Sequence, residues 1–559
     1  MNKKIFAALA SATMALSATG SIAVFAQDFE DEAQVLPSQP GETTEIVWNE
    51  ANFGDLVKLS SATTGASITF TAAPAPTDGS TPSTLVDGKT YTVKELEKIT
   101  KIDVQAADAG TLKTIKGLEY LTKLATFNNS ASTATLTNTT VDFSANSDLT
   151  TVNLKGADTY NVGTTDAVLP NVTEVLLPVS PEDGIGNLTD LTLTNTAIKS
   201  LDLTEQEALE NVTITDGSLN TLNVAGNTKL EELTVTDTNL SSIQLPAAKN
   251  SQITKLTLND NNLSEINLSG QKAALEFLDL SNNALNTLNI KNFASLAALN
   301  IENNHIGALD TTDTALTDVA FDASTATGTK LGPQVFYVAE DAGSVNLVNE
   351  IPGLKVGSVS VTPATDFDDE TGELTLGSNG QSYIYNVAVP TTSDNITKMT
   401  VVIAKANPMH RLYNPNSGEH FYTKDLNEND TLVELGWKSE GIGWVAPIDE
   451  TAGNRPVYRL YNPNAGDHHY TMNENEKNVL TSIGWKYEGI GWYSYDNEAN
   501  TSIKSTVNTI EPDGAVVLRE YNPNAKAAGA HNYTLNQAEN DFLVSVGWLD
   551  EGTAWNAIK

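Results

Sequence analysis

The sequence predicts a mainly β protein with a solenoid of stacked parallel strands, a small β-sandwich, and a pseudo-threefold β-rich domain with short helices. Two observations lead to this prediction. Apolar residues recur between residues 188 and 309 in units that start 21 to 23 residues apart, and three copies of an aromatic-rich unit follow residue 407. All four arginines and six of the seven tryptophans lie beyond residue 407, so two different architectures are joined there.

The first 26 residues have the pattern of a secretory signal peptide. Lys3 and Lys4 give a positive start, and residues 5–24 are mostly apolar or small. Val24-Phe25-Ala26 then offers a small-residue cleavage site ahead of an acidic stretch. Residues 1–26 are therefore expected to be removed on export, and the protein is predicted to be secreted and extracellular.

Charge and composition narrow the range of partners. The formal net charge is −38 and the sequence pI is about 4.3, so phosphate backbones and anionic lipids are repelled and nucleic acid is not an expected partner. The absence of cysteine removes thiol catalysis and cysteine-ligated zinc. No later stretch has the ~20 apolar residues of a membrane span, and no Leu-Pro-x-Thr-Gly motif is present. We therefore expect no membrane span and a mature protein that is either released or held non-covalently at the cell wall.

Residues 27–90 are predicted to be an acidic linker with a cap for the following domain. The Pro-, Ser- and Thr-rich run at residues 74–83 is typical of linkers and turns. Residues 48–59 are interpreted as a short capping helix.

The central region repeats the spacing LxxLxLxxNxLxxLxL. The first clear unit uses Leu188, Leu191, Leu193, Ile198, Leu201 and Leu203. The LxL pair has a period of two, which is typical of a short strand with one buried side. One turn of chain cannot bury this apolar face alone, so successive turns must stack. Weaker units extend the pattern upstream, and residues 91–330 are predicted to form the solenoid.

Two rows of polar residues follow from this register. Asn261, Asn283 and Asn304 occupy the turn after three strands, where a buried amide can satisfy backbone groups of neighbouring coils. A second row is expected on the concave face, at Thr192, Thr213, Thr234, Thr257, Asp279 and Asn300. This face is poor in the Trp, Tyr and Arg that dominate protein hot spots, so a ligand-binding adhesin and a rigid spacer both remain as hypotheses.

The start of the solenoid resembles a known family. Residues 91–124 (YTVKELEKITKIDVQAADAGTLKTIKGLEYLTKL) are similar to the opening repeats of internalin-like leucine-rich-repeat surface proteins of Gram-positive bacteria, most closely at residues 116–124. The resemblance covers residues 91–320. It implies a leucine-rich-repeat solenoid followed by a β domain, and a host or matrix protein as one candidate partner.

Residues 331–406 lose the repeat and alternate in polarity instead. Segments 358–362, 373–376, 382–389 and 399–403 have the pattern of half-buried strands. A small immunoglobulin-like β-sandwich is predicted. Residues 366–373 are acid-dense and are interpreted as a solvated hairpin loop, with calcium binding as the alternative.

Residues 407–559 contain three copies of one unit. The first copy reads RLYNPNSGEHFYT from Arg411, and the others begin at Arg459 and Arg519. Each is predicted to form a hairpin turned by Asn-Pro-Asn, a short helix near residues 427–435, 473–483 or 537–546, and a closing strand. The pattern is similar to a repeat family of undetermined function on secreted Gram-positive proteins, which implies attachment to a cell-wall polymer or glycan.

The concentration of aromatic and hydrogen-bonding residues in each copy makes it a candidate glycan-binding module, because aromatic faces stack on sugars and polar side chains orient them. The alternative is that the aromatic residues form the core, and this structural role is favoured for Trp437, Trp485 and Trp548. Convergence of the three unit histidines on a metal is a minor alternative, and no metal or other cofactor is predicted. The glycan-binding candidates are Tyr413, His420, Tyr422, Trp444, Tyr461, His468, Tyr470, Trp492, Tyr521, His531, Tyr533 and Trp555.

No catalytic motif is apparent: the sequence has no nucleophile elbow, no HExxH helix and no phosphate-binding loop. The predicted function is therefore a non-enzymatic, adhesin-like binding protein, with the solenoid for display or recognition and the C-terminal repeats for attachment. The alternative is a cell-wall-acting hydrolase or its accessory subunit.

Overall fold

The computed structural model describes residues 41–558 apart from residues 73, 81–83, 135, 157–171, 181–183, 248–250, 339–341, 378–380, 389–395, 449–453, 496–514 and 526–527. The predicted signal peptide lies outside the described residues. The described chain is mainly β, as predicted. None of its helices is long and apolar enough to cross a membrane.

The N-terminal segment folds as a cap, where the sequence predicts an acidic linker with a cap. Its elements are β1 (Glu45–Val47), α1 (Glu50–Phe53), β2 (Ser61–Ala62), β3 (Ile68–Phe70), β4 (Thr90–Thr92) and α2 (Val93–Leu96). A 3-10 turn over Asp55–Lys58 completes the short helical region predicted at residues 48–59. Trp48, Phe53 and Phe70 are buried against the first coils of the next domain, so this segment covers the end of their core. The linker part of the prediction is wrong for residues 45–70, where the apolar residues are too sparse to show a period.

The central domain is a stack of short strands. The strands are β5 (Ile99–Asp103), β6 (Thr126–Asn128), β7 (Thr140–Asp142), β8 (Thr151–Lys155), β9 (Glu174–Leu176), β10 (Asp190–Thr194), β11 (Ser200–Asp202), β12 (Asn211–Thr215), β13 (Thr221–Asn223), β14 (Glu232–Thr236), β15 (Ser242–Gln244), β16 (Lys255–Thr257), β17 (Phe277–Asp279), β18 (Ala298–Asn300) and β19 (Gly328–Lys330).

Twelve of the strands described so far form one sheet, in the order β19-β18-β17-β16-β14-β12-β10-β8-β6-β5-β3-β2. Its pairs are parallel from β5 to β19, whereas β3 and β5 are antiparallel. On the other side of the coils, β11, β13 and β15 form a second parallel sheet. Both Leu191 and Leu193 of the repeat point into a continuous buried core between these layers.

Buried amides join neighbouring coils at the turn after each of the later strands. The Nδ2 group of Asn283 donates to the carbonyl oxygens of Leu258 at 2.8 Å and Leu280 at 3.1 Å, and its Oδ1 accepts the N–H of Leu263 at 2.9 Å. Asn304 makes the same bonds one coil later. Gln334, which was not predicted as a member of the row, continues it by donating to the carbonyl of Ile301.

The next domain has strands at the four predicted positions. Its elements are β20 (Gln334–Val338), β21 (Ser344–Asn346), α3 (Leu347–Glu350), β22 (Val359–Val361), β23 (Glu373–Thr375), β24 (Gln381–Ala388) and β25 (Ile396–Lys405). A four-stranded sheet has the order β20-β25-β24-β22, and β21 pairs with β23. Strands β20 and β21 were not predicted, because β20 begins as a continuation of the stack and β21 is short. In the acidic loop, Asp368 accepts the backbone N–H groups of Glu370 and Thr371, so its carboxylate closes a turn.

The C-terminal domain, here called the ring module, consists of three units. Unit 1 contains β26 (Asn407–Tyr413), β27 (His420–Thr423), α4 (Leu426–Glu434) and β28 (Lys438–Ala446). Unit 2 contains β29 (Asn454–Asn462), β30 (Asp467–Thr471), α5 (Glu474–Ser482) and β31 (Lys486–Tyr495), and unit 3 contains β32 (Ala515–Tyr521), β33 (His531–Thr534), α6 (Gln537–Ser545) and β34 (Leu549–Ala557).

The three units close on one another. Strands β31 and β34 pair at Tyr495 and Asn556, which joins units 2 and 3 in one sheet. The N–H of Ile558 donates to the carbonyl of Val445 at 2.9 Å, so the end of unit 3 returns to unit 1. The module has its own buried core, separate from the core that runs through the cap, the stack and the β domain.

Candidate binding surfaces of the ring module and the stack

Six of the twelve glycan-binding candidates form the core of the ring module. Trp444, Trp492 and Trp555 are at most 2% exposed, and their ring centroids lie 5.6 to 5.8 Å from one another. Each indole also packs on a tyrosine of its own unit, at 5.0 to 5.1 Å. These faces are occupied by other aromatic rings and cannot stack on a sugar. The prediction of a glycan-binding role is therefore wrong for six buried residues: Tyr422, Trp444, Tyr470, Trp492, Tyr533 and Trp555.

The three core tyrosines are linked in a cycle. Each hydroxyl donates to a backbone carbonyl of another unit: Tyr422 to Tyr533 at 2.9 Å, Tyr470 to Tyr422 at 3.2 Å, and Tyr533 to Tyr470 at 2.7 Å. Burial raises the pKa of all three phenols, which keeps them protonated as donors. The cycle explains why the chain places a tyrosine, and not a phenylalanine, at this position in every unit.

The other three tryptophans of the module, Trp437, Trp485 and Trp548, lie in the turns that end the helices. After α4, the N–H of Trp437 donates to the carbonyl of Leu432 at 3.0 Å, and the N–H of Gly436 donates to Val433 at 3.0 Å. Gly436 has a positive φ of 96°, so the turn has the Schellman geometry that favours glycine. Units 2 and 3 repeat these bonds at Trp485 and Trp548. All three indoles are half-buried, whereas the surface role was predicted for the other three tryptophans, Trp444, Trp492 and Trp555.

The remaining six candidates form three equivalent surface pairs of tyrosine and histidine. The ring centroids of the pairs lie 4.9 to 5.2 Å apart, with an interplanar angle of 39° in every unit. The tyrosines are half-buried, and the histidine side chains are 15 to 18% exposed. The pairs that stay available to a ligand are Tyr413 with His420, Tyr461 with His468, and Tyr521 with His531.

An arginine beneath each pair ties it to its neighbours. In unit 2, the Nε of Arg459 lies 3.1 Å from Glu488, which also lies 3.5 Å from His468. The guanidinium reaches Glu428 on the helix of unit 1 at 3.0 Å. Arg411 and Arg519 make the corresponding pairs in their units.

These ion pairs hold the carboxylates charged. Burial alone would raise the pKa of Glu440, but His420 and Arg411 outweigh it and hold the pKa below its ordinary value. Glu476 is opposed by burial in the same way, and its hydrogen bonds from His469 and Thr471 bring its pKa to about 2. The surface pairs therefore rest on a fixed ionic framework and not on mobile side chains.

The contact between units 3 and 1, here called the seam, differs from the contacts between units 1 and 2 and between units 2 and 3. Glu520 is fully buried where units 1 and 2 have Leu412 and Leu460, and it accepts hydrogen bonds from Asn540 at 2.9 Å and Asn532 at 3.1 Å. Burial raises the pKa of Glu520 to about 7, although the two amides and Arg411 lower it. The sequence signal was a Glu at a position that is Leu in the other two copies.

The histidines are also unequal. Nδ1 of His468 lies 2.6 Å from Glu419 of the preceding unit, whereas burial, with His469 and Arg519 nearby, lowers the pKa of His531 to about 3. Across the described residues, no group of three or more His, Asp or Glu side chains is placed to hold a metal ion.

On the stack, the residues predicted for the concave face are aligned in register. Thr192, Thr213, Thr234, Thr257, Asp279 and Asn300 pair consecutively across β10, β12, β14, β16, β17 and β18. The row continues upstream through Asn153, Asn128 and Asp103. Five of the six predicted residues are half-buried, and Asn300 is buried.

Two hydrogen bonds join an amide to a carboxylate on the neighbouring strand of this sheet. Asn211 donates to Asp190 at 2.9 Å, and Asn300 donates to Asp279 at 3.2 Å, so in each pair the later coil supplies the donor. Each bond pairs a carboxylate with a neutral amide on the neighbouring strand, which is a favourable cross-strand contact. The row is thus an ordered polar surface without aromatic anchors.

The ring module matches a known protein family. Residues 408–558 match a family described as a domain of unknown function, DUF5648. The match coincides with the three units and does not extend to the cap, the stack or the β domain. No curated protein matches the sequence.

Solved structures similar to this chain include internalins of Listeria monocytogenes. The functional domain of InlJ, reported to include a cysteine ladder, is 14% identical and covers 65% of this chain and 99% of its own, with a TM-score of 0.23. Internalin C2 is 17% identical over 41% of this chain and 84% of its own, with a TM-score of 0.24. Internalin InlF is 21% identical over 43% of this chain and 88% of its own, with a TM-score of 0.21. The present chain contains no cysteine.

Proposed function

We propose that this chain is a secreted, non-enzymatic surface binding protein of a bacterium, held at the cell wall by its ring module. In this proposal the ring module binds a cell-wall polymer or glycan. The parallel stack, interpreted as a leucine-rich-repeat solenoid, displays or recognises a further ligand such as a host or matrix protein.

The observation that carries the attachment role is the threefold repetition of the tyrosine–histidine pairs. Each pair presents a partly exposed aromatic ring beside an imidazole, and the geometry recurs within 0.3 Å and at one interplanar angle. Aromatic rings next to hydrogen-bonding groups are the usual composition of sugar sites. Three such sites on one rigid body gain affinity for a polymer through effective concentration, even where each is weak.

The stack supports the second role less specifically. Its concave row is polar, regular and half-buried, which suits an extended contact surface. It lacks Trp, Tyr and Arg at the six predicted positions, and these residues dominate strong protein interfaces. We therefore assign attachment to the ring module and treat recognition by the stack as the part that needs its own test.

Division of the chain at residue 407 tests the assignment, because the ring module has a separate core. The fragment 407–559 is expected to sediment with purified Gram-positive cell walls, and the fragment 41–406 is expected to remain in solution. Sedimentation of the larger fragment alone would reject the attachment role. Binding of the larger fragment to host cells or matrix proteins would identify the stack as the recognition element, and its failure there would make the stack a spacer.

A further inference from the structure

Exposed apolar side chains are concentrated in the ring module. Among the described residues, fifteen large hydrophobic side chains are exposed, and twelve of these lie between residues 426 and 549. Three of the twelve occupy the same position in the three units, directly before the Gly-Trp pair that ends each helix. They are Leu435, Ile483 and Val546, with exposures of 72%, 67% and 56%.

The end of each helix has an aliphatic residue followed by Gly and Trp. The termination of the helix explains the glycine and the tryptophan, but it does not explain the aliphatic residue. The Schellman turn needs a residue that tolerates positive φ, which Gly436, Gly484 and Gly547 provide at 96°, 106° and 97°. The backbone N–H of the tryptophan closes the turn, and the indole ring is half-buried. The preceding residue has no such requirement, and a polar side chain would serve equally at an exposed helix end. A large aliphatic group at this position in all three units therefore indicates a contact outside the fold.

Each turn lies next to one of the surface pairs. Tyr413 is the strand partner of Lys438, the residue that follows Trp437. Tyr461 and Tyr521 have the same relationship to Lys486 and Leu549. Each unit therefore has three such groups at one end of its own sheet: the exposed aliphatic residue, the half-buried indole and the tyrosine.

We propose that these three apolar turns, each together with its adjacent tyrosine–histidine pair, form the sugar-contacting subsites of the ring module and that their ligand is an uncharged polysaccharide strand. This inference rests on the proposed attachment function and names its residues and ligand class. Each turn offers an exposed aliphatic side chain two positions before a half-buried indole, and such apolar groups suit the C–H face of a sugar ring. The net charge of −38 disfavours anionic wall polymers. Three equivalent subsites suit a ligand with repeating units.

The test uses the full chain and cell-wall sacculi from a Gram-positive bacterium, before and after hydrofluoric acid removes the anionic polymers. Wild-type protein is expected to bind both preparations. We expect about tenfold weaker binding for each of the single variants Leu435→Ser, Ile483→Ser and Val546→Ser. The triple variant should bind at least 100-fold more weakly, because each substitution removes one of the three linked subsites. The matched control is Val319→Ser with Val348→Ser, which removes two exposed aliphatic groups outside the module.

The outcomes separate the inference from the function on which it rests. If the triple variant binds sacculi as tightly as wild type, the apolar turns do not contact the sugar, although the ring module still attaches the protein to the cell wall. Failure of the wild-type protein on both preparations would reject the attachment role itself. Loss of binding after acid treatment would assign the ligand to the anionic polymers, and a wild-type oligomer that dissociates in the triple variant would assign the turns to a second copy of the chain. Either result overturns the proposal. Unchanged thermal unfolding of the variants is expected, since the side chains are exposed.

Discussion

The hydroxyl of Tyr422 lies 2.9 Å from the backbone carbonyl oxygen of Tyr533, to which it donates across 111 positions of sequence. The same oxygen of Tyr422 accepts the N–H of Tyr533 at 3.0 Å. One phenol therefore satisfies both backbone groups of a buried residue in another unit. Since unit 1 and unit 3 are the first and last of the module, this contact closes the ring.

Substitution of Tyr422 by Phe is expected to lower the free energy of unfolding of the ring module by about 2–3 kcal/mol, because two buried backbone groups lose their partner. Urea unfolding followed by tryptophan fluorescence measures this change, since six of the seven tryptophans lie in the module. Tyr413→Phe is the matched control at a half-buried position and should change stability by less than about 0.5 kcal/mol. Equal effects of the two substitutions would contradict a closing role for Tyr422.

Arg411 is predicted to be the largest ionic contributor to the same seam. Its guanidinium pairs with Glu440 at 2.8 Å and with Glu539 of unit 3 at 2.9 Å. Arg411→Met leaves two partly buried carboxylates without a cation and is expected to cost about 3–5 kcal/mol. Adding Glu539→Gln should recover part of this loss, because the two changes are coupled.

The exposed pair of Lys94 and Glu42 provides the comparison, since its side chains are 68% and 63% exposed. Lys94→Met is expected to cost less than about 1 kcal/mol. If the double variant at Arg411 and Glu539 is simply the sum of its single changes, the ion pair does not hold the seam.

The buried carboxyl of Glu520 makes the stability of the seam depend on pH. Burial raises its pKa in the folded protein to about 7, above the ordinary value of 4.5. The folded state therefore binds the proton more tightly than the unfolded state, and this group becomes increasingly destabilising as pH rises from about 4.5 through 7. Glu520→Gln keeps a hydrogen-bonding side chain without the charge, so its stability relative to wild type should rise across this range, by up to about 2–3 kcal/mol at pH 8.

Urea midpoints of wild type and variant at pH 5, 6.5 and 8 measure that difference. The difference is the relevant quantity because Glu476, with a pKa of about 2, contributes in the opposite direction at lower pH. Glu474→Gln is the control, since its side chain is 68% exposed. A gap between Glu520→Gln and wild type that is constant with pH would show that Glu520 does not titrate in this range.

The sequence allowed the elements of the repeats to be predicted well, because each element follows from local chemistry. The apolar period placed Leu191 and Leu193 inwards, and the six positions predicted for the concave face share one register because parallel strands of equal spacing must align. The helices near residues 427, 473 and 537 were predicted within one or two residues, since an Asp or Asn cap and a Gly-Trp stop bracket each of them.

Which aromatic residues face solvent was not predictable in the same way. Both tryptophans of a unit lie at fixed spacing in sequence, and only the closure of three units shows that Trp444 is central and Trp437 peripheral. The cap had the same difficulty, because Trp48 and Phe53 are buried by coils that follow them in sequence. Contacts between distant segments decide both cases, and no local pattern records them.

The buried amide row predicts a last effect, in the stack. Asn283 bonds the carbonyl of Leu258 and the N–H of Leu263 in the preceding coil, and it also donates to carbonyls of its own coil. Asn283→Ala is therefore expected to cost about 2–4 kcal/mol through groups left unsatisfied in the core. Asn283→Thr should cost less, because Thr238 holds this turn position in an earlier coil and accepts the N–H of Leu240. Asn289→Ala is the control, since that amide caps an exposed turn. Urea unfolding followed by far-ultraviolet circular dichroism gives the free energies, and hydrogen exchange at the N–H of Leu263 should accelerate in Asn283→Ala alone. Unchanged protection of that amide would mean that backbone pairing, and not the asparagine row, holds the coils together.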